Sequence, residues 1–238
     1  MNRINIMPIA GLGKRFKDKK FKTPKPLIKI RATPMFIKSA RSLPLADITY
    51  FIFMKKLYND YKVKKIIDKY YNKKNFTYLI NKNTLGQADT CYKLIKVLKK
   101  EDELFIASCD ACYKFNKRKF NLLKKKNDMI IFTTNSTSYH HKNPKSFGWV
   151  AENKQGIKIK CKKIINKNFH KHKIIIGTFY FKNSFIYKKI FKSLKKINKK
   201  INNEFYIDQM FEIAQSLGYK LASIEVNNYK SFGTPDEL

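Results

Sequence analysis

The chain has 238 residues, is 43% hydrophobic and carries a formal net charge of +35. This length suits one α/β domain with a sizeable core, and no apolar run approaches the roughly 18 residues that indicate a membrane span. Four cysteines are too few for a disulfide scaffold, and no secretion signal is recognisable. We therefore expect a cytoplasmic protein without a membrane partner.

The positive charge comes from lysines that are spread along the whole chain rather than gathered in one arm. Together with many asparagines and isoleucines, they are the residues that an AT-rich coding sequence supplies. We therefore attribute most of the charge to composition, and a basic nucleic-acid-binding protein is only the second hypothesis. The positive field would still attract nucleotides and phosphorylated metabolites.

Strand-like and helix-like segments alternate along the chain, which predicts an α/β fold with a mainly parallel sheet and helices on both faces. Strands are predicted at 4–9, 49–54, 76–80, 104–107, 129–134, 148–151, 157–161, 174–181 and 221–226. Helices are predicted at 34–43, 57–71, 87–99, 116–126, 184–195 and 204–217. We expect a single domain over residues 1–238, with a small lobe formed by the lysine-rich segment 154–173.

A glycine turn follows the first predicted strand, in the sequence Ala10-Gly11-Leu12-Gly13-Lys14-Arg15-Phe16. Glycines at a strand end let backbone N–H groups approach an anion closely, because no Cβ stands in the way. Arg15 and Lys25, which follows Pro24, would bring positive charge to the same edge of the sheet. The turn is neither a Walker A loop nor a dinucleotide fingerprint, so by itself it indicates only an anion site or a plain turn.

An aspartate ends the fourth predicted strand, in the sequence Glu103-Leu104-Phe105-Ile106-Ala107-Ser108-Cys109-Asp110. A carboxylate at the carboxyl edge of a parallel sheet lies where ligands bind. It suits Mg²⁺ beside phosphates, which uses one or two carboxylates and substrate oxygens. The alternative is an aspartate that only caps the next turn. With the glycine turn at the same edge, the sequence favours Asp110 as a metal ligand.

Two further segments contribute candidate binding residues. Gly86 opens a helix and would let a flat ring approach the backbone, and Asn81 could add a side-chain amide. Glu204 and Asp208 lie one turn apart if the last predicted helix includes both. They could contact substrate hydroxyls or a metal, or they could simply interact with the dipole of their own helix.

The order of these segments resembles the sugar-1-phosphate nucleotidyltransferases, including the glucose-1-phosphate thymidylyltransferases and their capsule and polysaccharide biosynthesis relatives. The motifs that carry the resemblance are AGLGKRF at 10–16, PKPL at 24–27, LGQA at 85–88, Asp110, FGWV at 147–150, GTFYF at 177–181, NEFYID at 203–208 and FGTPDEL at 232–238. The resemblance implies a Rossmann-like fold and a Mg²⁺-dependent enzyme that transfers a nucleotidyl group, with CMP or UMP/dTMP favoured. The donor would be a nucleoside triphosphate, the acceptor a small phosphorylated compound such as a sugar 1-phosphate, and a homodimer is compatible with it.

The resemblance also implies a role for individual residues. Catalysis would depend on Arg15, Lys25 and Asp110, and the metal would be bound by Asp110 and Asp208. The nucleotide would be bound by Ala10, Gly11, Gly13, Arg15, Asn81 and Gly86. The acceptor would be bound by Gly148, Lys162, Lys163, Gly177 and Glu204.

The sequence departs from the pattern of these relatives at two places. Ser231 stands where they usually carry an aspartate as second metal ligand, so Asp208 or Asp236 would have to replace it. The acceptor lobe keeps a lysine, as Lys162 or Lys163, but not the glutamate that normally holds sugar hydroxyls. These departures leave room for a non-sugar acceptor such as a choline-, glycerol- or amino-acid-derived phosphate, or for a protein that binds nucleotide without catalysis.

Overall fold

The computed structural model describes residues 1–11, 13–153 and 156–238. The strands are β1 Arg3–Ile9, β2 Lys29–Ile30, β3 Thr33–Pro34, β4 Ile48–Met54, β5 Asn75–Ile80, β6 Glu103–Ala107, β7 Ala111–Lys114, β8 Met129–Asn135, β9 Trp149–Asn153, β10 Gly156–Lys160, β11 Lys173–Phe181, β12 Leu221–Glu225 and β13 Asn227–Ser231. The α-helices are α1 Lys14–Asp18, α2 Met35–Ala40, α3 Lys55–Asp60, α4 Val63–Tyr70, α5 Gln87–Ile95, α6 Lys117–Lys126, α7 Ser138–Lys142, α8 Ser184–Ile197 and α9 Ile207–Ser216.

A large mixed sheet forms the centre of the molecule, in the order β10-β9-β11-β6-β1-β4-β5, with β8 beside β11 and β12 beside β8. Strand β1 runs parallel to β4 and β6, β4 runs parallel to β5, and β8 runs parallel to β12. Strand β11 is antiparallel to β6, β8 and β9 and joins the two parallel groups. The predicted α/β class, with a mainly parallel sheet between helices, is confirmed.

The central strands are buried on both faces because alternate side chains enter two separate cores. In β1, Ile4 and Ile6 pack into one core, whereas Met7 and Ile9 pack into the other. Helices α5, α8 and α9 cover the first core, and α2, α4 and α6 cover the second. This packing fixes the strand ends, and therefore the loops that follow β1 and β6.

The helix predicted at 57–71 is two helices in the structure, α3 and α4. The helix is interrupted at Lys62, which has a left-handed φ of 49°. Asn59 and Asp60 immediately before the break are weak helix formers, because their side chains compete for backbone hydrogen bonds. The apolar spacing that predicts one helix continues on both sides of this turn.

Two further differences concern the edge of the sheet near the predicted site. Strands β7 and β13 form a small antiparallel sheet that the sequence does not predict. Helix α9 begins at Ile207, so Glu204 precedes it and does not share a helix with Asp208. The expectation that these two acids lie one helical turn apart is wrong.

The predicted lobe begins at Lys154, which lies outside the described residues. Strand β10 from this segment pairs with β9 at the edge of the main sheet, and residues 161–172 form an irregular segment with one 3-10 turn at Phe169–Lys171. No helix in the described part of the chain is both long and apolar enough to cross a membrane.

Candidate active site

A lysine and an aspartate from distant parts of the chain meet at the carboxyl edge of the parallel strands. Asp110 follows β6, and Lys25 begins a 3-10 turn at Lys25–Leu27. The Nζ atom of Lys25 lies 2.5 Å from Oδ2 of Asp110 and donates to the carbonyl oxygen of Gly233 at 3.0 Å. The amide of Phe232 donates to the carbonyl oxygen of Asp110 at 2.7 Å. Three separate segments therefore hold this ion pair.

The Asp110 carboxylate is partly buried, and its surroundings nevertheless favour the ionised form. Burial by itself raises the pKa of this group, but the charge and hydrogen bond of Lys25 and a hydrogen bond with Ser108 outweigh it. The net result is a pKa below the ordinary value of an aspartate. The site thus contains a fixed negative charge next to a fixed positive one.

The glycine turn after β1 lines a first cleft of about 350 Å³ together with Lys25 and Asp110. A Cβ at Gly11 would meet nothing within 4 Å, so the backbone here is open to a ligand. Gly13 has a φ of +61°, and a Cβ there would lie 3.3 Å from Cβ of Lys25. Ala10 also lines this cleft, whereas Leu12 of the predicted turn lies outside the described residues.

The loop before α5 also lines the first cleft, and it packs directly on the segment before α9. Gly86 has a φ of +99°, and a Cβ there would lie 2.7 Å from the carbonyl oxygen of Phe205. Glu204 lines this cleft, on the predicted nucleotide side rather than on the acceptor side. Asn83 and Thr84 line it as well. Asn81 is exposed and is not among the lining residues.

A second cleft of about 460 Å³ adjoins the first, and Asp110, Ser108, Gln87 and Tyr206 line both. Arg15, which was predicted to bind the nucleotide, has an exposed side chain and lines the second cleft but not the first.

Gly177 also lines the second cleft, at an irregularity in the pairing of β11 with β8. Its φ is +72°, and a Cβ there would lie 3.1 Å from Oγ of Ser108. Its carbonyl oxygen accepts a hydrogen bond from the amide of Ser108 at 3.0 Å.

The structure separates the two candidate lysines of the acceptor side. Lys162 lines the second cleft, and its Nζ atom donates to the carbonyl oxygen of Ser146 at 3.1 Å. Lys163 is exposed and is not among the lining residues.

Asp208 lies against Gly148, where a Cβ would clash with its Oδ2 atom. Neither Asp208 nor Gly148 is among the lining residues of the two clefts. This placement gives no support to Asp208 as a partner of Asp110 in a metal site, because the backbone at the start of α9 directs its carboxylate to Gly148.

Several lining residues lie in the quoted motifs but were not singled out from sequence. Ser108 directly precedes the Cys109-Asp110 pair, Gln87 belongs to LGQA, and Tyr206 belongs to NEFYID. Ser231, singled out as a departure, also lines the second cleft, and its Oγ accepts from the amide of Gly233 at 3.2 Å. The signal that could have found them is proximity in sequence to a predicted site residue.

The residues around Asp110 suit a magnesium ion whose remaining ligands come from the substrate. An ionised carboxylate is a hard oxygen ligand, and the Ser108 and Ser231 hydroxyls line the same cleft. Among the described residues, no group of three or more His, Cys, Asp or Glu side chains is arranged to hold a metal by itself. Such an ion would therefore need phosphate oxygens of a bound nucleotide, which is usual for Mg²⁺.

Several solved structures of other proteins align with almost the whole length of this chain. A nucleoside-diphosphate-sugar pyrophosphorylase from Vibrio cholerae RC9 is 15% identical, with a TM-score of 0.78 over 98% of this chain and 97% of that one. An inositol-1-phosphate CTP transferase from T. maritima is 17% identical, with a TM-score of 0.74 over 99% and 91%. A UDP-glucose pyrophosphorylase complexed with UDP-glucose is 15% identical, with a TM-score of 0.72 over 100% and 95%.

At these identities the likeness shows the fold alone. No curated protein sequence matches the chain. The family model described as nucleotidyl transferase matches residues 5–225, a range that includes the glycine turn, Lys25, Asp110 and the loop before α5. The chain therefore belongs to the nucleotidyl transferase family.

Proposed function

We propose that this protein transfers a nucleotidyl group from a nucleoside triphosphate to a small phosphorylated acceptor and releases pyrophosphate. The observation that carries the proposal is the Lys25–Asp110 ion pair at the junction of two adjoining clefts. One cleft has the open glycine backbone that suits a polyphosphate, and the other has the side chains of Arg15 and Lys162 that suit a second anion. Two anionic substrates would then meet at Asp110.

In the proposed reaction an oxygen of the acceptor phosphate attacks the α-phosphorus of the triphosphate, and pyrophosphate leaves in line with the attack. The P–O bond to the acceptor forms as the bond to pyrophosphate breaks, so no external proton donor or redox partner is required. The main task of the protein is to align two groups that repel each other, which contributes several kcal/mol through proximity. Lys25 and Arg15 would stabilise the charge that builds up on the phosphates.

Asp110 is the residue that would hold Mg²⁺, and the ion would supply further charge neutralisation at the phosphates. Lys25 pairs with this carboxylate at 2.5 Å and holds it in position. Asp208 has no part in this proposal, since its carboxylate lies against Gly148.

The identity of the base and of the acceptor belongs to the proposal as well. Gly86 and Asn83 line the first cleft, and the similar structures include a CTP transferase and a UDP-glucose pyrophosphorylase, so CTP, UTP and dTTP are the donors that we propose. Sugar 1-phosphates are the first class of acceptor. Non-sugar phosphates are the alternative, because the glutamate that binds sugar hydroxyls in similar enzymes is absent from the Lys160-Cys161-Lys162 segment.

A pyrophosphate-release screen tests the proposal directly. Each common nucleoside triphosphate is combined with sugar 1-phosphates, inositol phosphate, phosphocholine and glycerol phosphate, with and without Mg²⁺. We expect release that depends on both substrates and is highest with one pyrimidine nucleotide. No release from any pair by folded protein would contradict the proposed activity.

We predict that Asp110→Asn lowers turnover about a hundredfold or more, because the variant lacks the negative charge at the junction of the clefts. Asp68→Asn is the matched control, since Asp68 forms an exposed pair with Lys64 at 2.7 Å on α4. Pyrophosphate release by both variants is measured after circular dichroism has shown that they are folded. Equal turnover of Asp110→Asn and the control would refute the role of Asp110.

A further inference from the structure

Tyr206 connects the two clefts of the proposed active site. It immediately precedes α9 and lines both the first and the second cleft. Its backbone amide donates to Oε1 of Gln209 at 2.9 Å, and the Gln209 amide group donates to the carbonyl oxygen of Lys199 at 2.7 Å. Since Gln209 is buried, these bonds fix the position of the tyrosine backbone.

The ammonium group of Lys162 contacts the face of the Tyr206 ring. The Nζ atom of Lys162 lies over this ring, 4.9 Å from its centroid. A cation over an aromatic face is attracted by the negative charge of the ring face. This ammonium donates to the carbonyl oxygen of Ser146, and its charge also acts on the Asp208 carboxyl. Since an ammonium has three N–H groups, it can donate to a ligand in the second cleft as well.

Helix α9 also anchors the backbone of the lysine. The amide of Cys161, next to Lys162, donates to Oε1 of Glu212 at 3.0 Å, and Lys160 pairs with Oε2 of the same carboxylate at 2.8 Å. Lys162 itself has a left-handed φ of 49°, a conformation that is unfavourable for a residue with a Cβ. One helix therefore holds both members of the Tyr206–Lys162 pair in register.

The phenol of Tyr206 interacts with the Glu204 side chain. Burial raises the pKa of this phenol, and the Glu204 carboxylate raises it further, so the ring stays neutral. Glu204 lines the first cleft and not the second. The order of side chains from the first cleft to the second is thus Glu204, Tyr206 and Lys162.

We infer that Tyr206 is a positioning residue, which holds the Lys162 ammonium through the face of its ring so that this ammonium meets the phosphate of the acceptor. The inference rests on the proposed function and adds to it how the acceptor cleft keeps its charge in place. Lys162 is the acceptor-binding group, and Tyr206 acts through it.

Steady-state kinetics of position 206 variants test the inference with the acceptor that the pyrophosphate screen identifies. We expect Tyr206→Leu to raise the KM for the acceptor about 2- to 30-fold, the range that a cation–π contact supports, with the KM for the nucleotide little changed. In a Lys162→Met background the same substitution should have almost no further effect on the acceptor KM. Tyr219→Leu is the control, because Lys189 lies 5.8 Å from the ring centroid of Tyr219 and Tyr219 lines neither cleft.

A ring series separates the contact from folding effects. Phenylalanine and increasingly fluorinated phenylalanines at position 206 keep the shape of the ring while they weaken its negative face. We expect the acceptor KM to rise steadily along this series. An equal effect of Tyr206→Leu with and without Lys162, or an equal rise in both KM values, would overturn the inference.

A measurement without substrate distinguishes failure of this inference from failure of the proposed activity. The Cε protons of Lys162 should show an upfield ring-current shift in NMR spectra, kept in Tyr206→Phe and lost in Tyr206→Leu. Absence of this shift in the unmodified protein would overturn the contact even if the enzyme is active. Its presence in a protein that releases no pyrophosphate would keep the contact and reject the activity.

Discussion

Asp208 shows how the surroundings of one residue set its chemistry. Burial raises the pKa of this carboxyl to about 6, although the positive charge of Lys162 and a backbone hydrogen bond act in the opposite direction. Near pH 6 the group therefore exchanges a proton inside the folded protein. An aspartate in water would have lost it two pH units lower.

We predict that Asp208→Asn stabilises the protein above pH 6. Between pH 4 and 6 the unfolded carboxyl is ionised while the folded one keeps its proton, so the unmodified protein loses stability as the pH rises through this window. The free energy of unfolding of the variant should exceed that of the unmodified protein by on the order of 1–3 kcal/mol at pH 7, and by much less at pH 4.

Urea unfolding at pH 4, 5, 6 and 7 checks this expectation. Asp60→Asn, which removes an exposed carboxylate on α3, is the matched control. A difference between Asp208→Asn and the unmodified protein that stays constant from pH 4 to 7 would contradict it.

At the scale of elements, the first cleft depends on close packing between the loop before α5 and the segment before α9. The amide of Phe205 donates to the carbonyl oxygen of Leu85 at 2.7 Å, and the amide of Ala88 donates to the carbonyl oxygen of Phe205 at 3.0 Å. Gly86 lies between these bonds, so no Cβ separates the two backbones. The start of α5 and the approach to α9 are thereby joined.

We predict that Gly86→Ala lowers the free energy of unfolding more than Gly218→Ala does. Both glycines have a positive φ, but a Cβ at Gly218 would meet nothing within 4 Å, whereas one at Gly86 would meet the backbone of Phe205. Gly218→Ala should cost about 1–2 kcal/mol, the cost of the left-handed backbone alone. Gly86→Ala should cost clearly more, since a steric clash is added.

Thermal and urea unfolding of the two variants measure the difference. Equal losses of stability would show that the two segments separate easily at Gly86. A greater loss of stability for Gly218→Ala than for Gly86→Ala would contradict the prediction as well.

The main elements were predictable because their pattern is local. Ile4, Ile6 and Ile9 in β1 and the apolar run of β6 identify their strands without knowledge of the partners. Strands β7 and β13 were not predictable, because Asn227–Ser231 is polar and pairs with residues more than a hundred positions earlier. The start of α9 was placed too early, because the sequence does not reveal that Glu204 pairs with Ile201 instead of entering the helix.

The same reasoning applies to the candidate site. Lys25 and Asp110 were singled out because each follows a recognisable strand or turn, and the structure brings them into contact. Which of Lys162 and Lys163 lines the second cleft depends on the left-handed φ of Lys162 and on the hydrogen bond from the Cys161 amide to Glu212. Such long-range contacts leave no periodic signal in the sequence.

At the scale of the whole molecule, the formal charge of +35 opposes compaction. Two cores, one on each face of the sheet, oppose this repulsion. Repulsion between exposed lysines acts over the Debye length, which falls from about 30 Å at 0.01 M salt to about 10 Å at 0.1 M. The stability of the fold is therefore coupled to ionic strength.

We predict that raising NaCl from 0.01 M to 0.1 M raises Tm by about 2–8 °C, equivalent to on the order of 1–2 kcal/mol for a chain of this size. Thermal unfolding followed by circular dichroism measures the shift. The double variant Lys119→Glu/Lys125→Glu, which reverses two exposed charges on α6, should show a smaller one. A Tm independent of salt in both proteins would mean that the charges are already well compensated.

The carbonyl oxygen of Gly233 accepts its hydrogen bond from Lys25, a residue 208 positions earlier. During synthesis, Lys25 leaves the ribosome long before the segment that completes its surroundings. The glycine turn and Asp110 can be in place on the nascent chain, but the lysine lacks one of its two acceptors until β13 has paired with β7. The candidate site is thus finished only after β13 has been made and has paired with β7, and proteolytic removal of this strand would undo it.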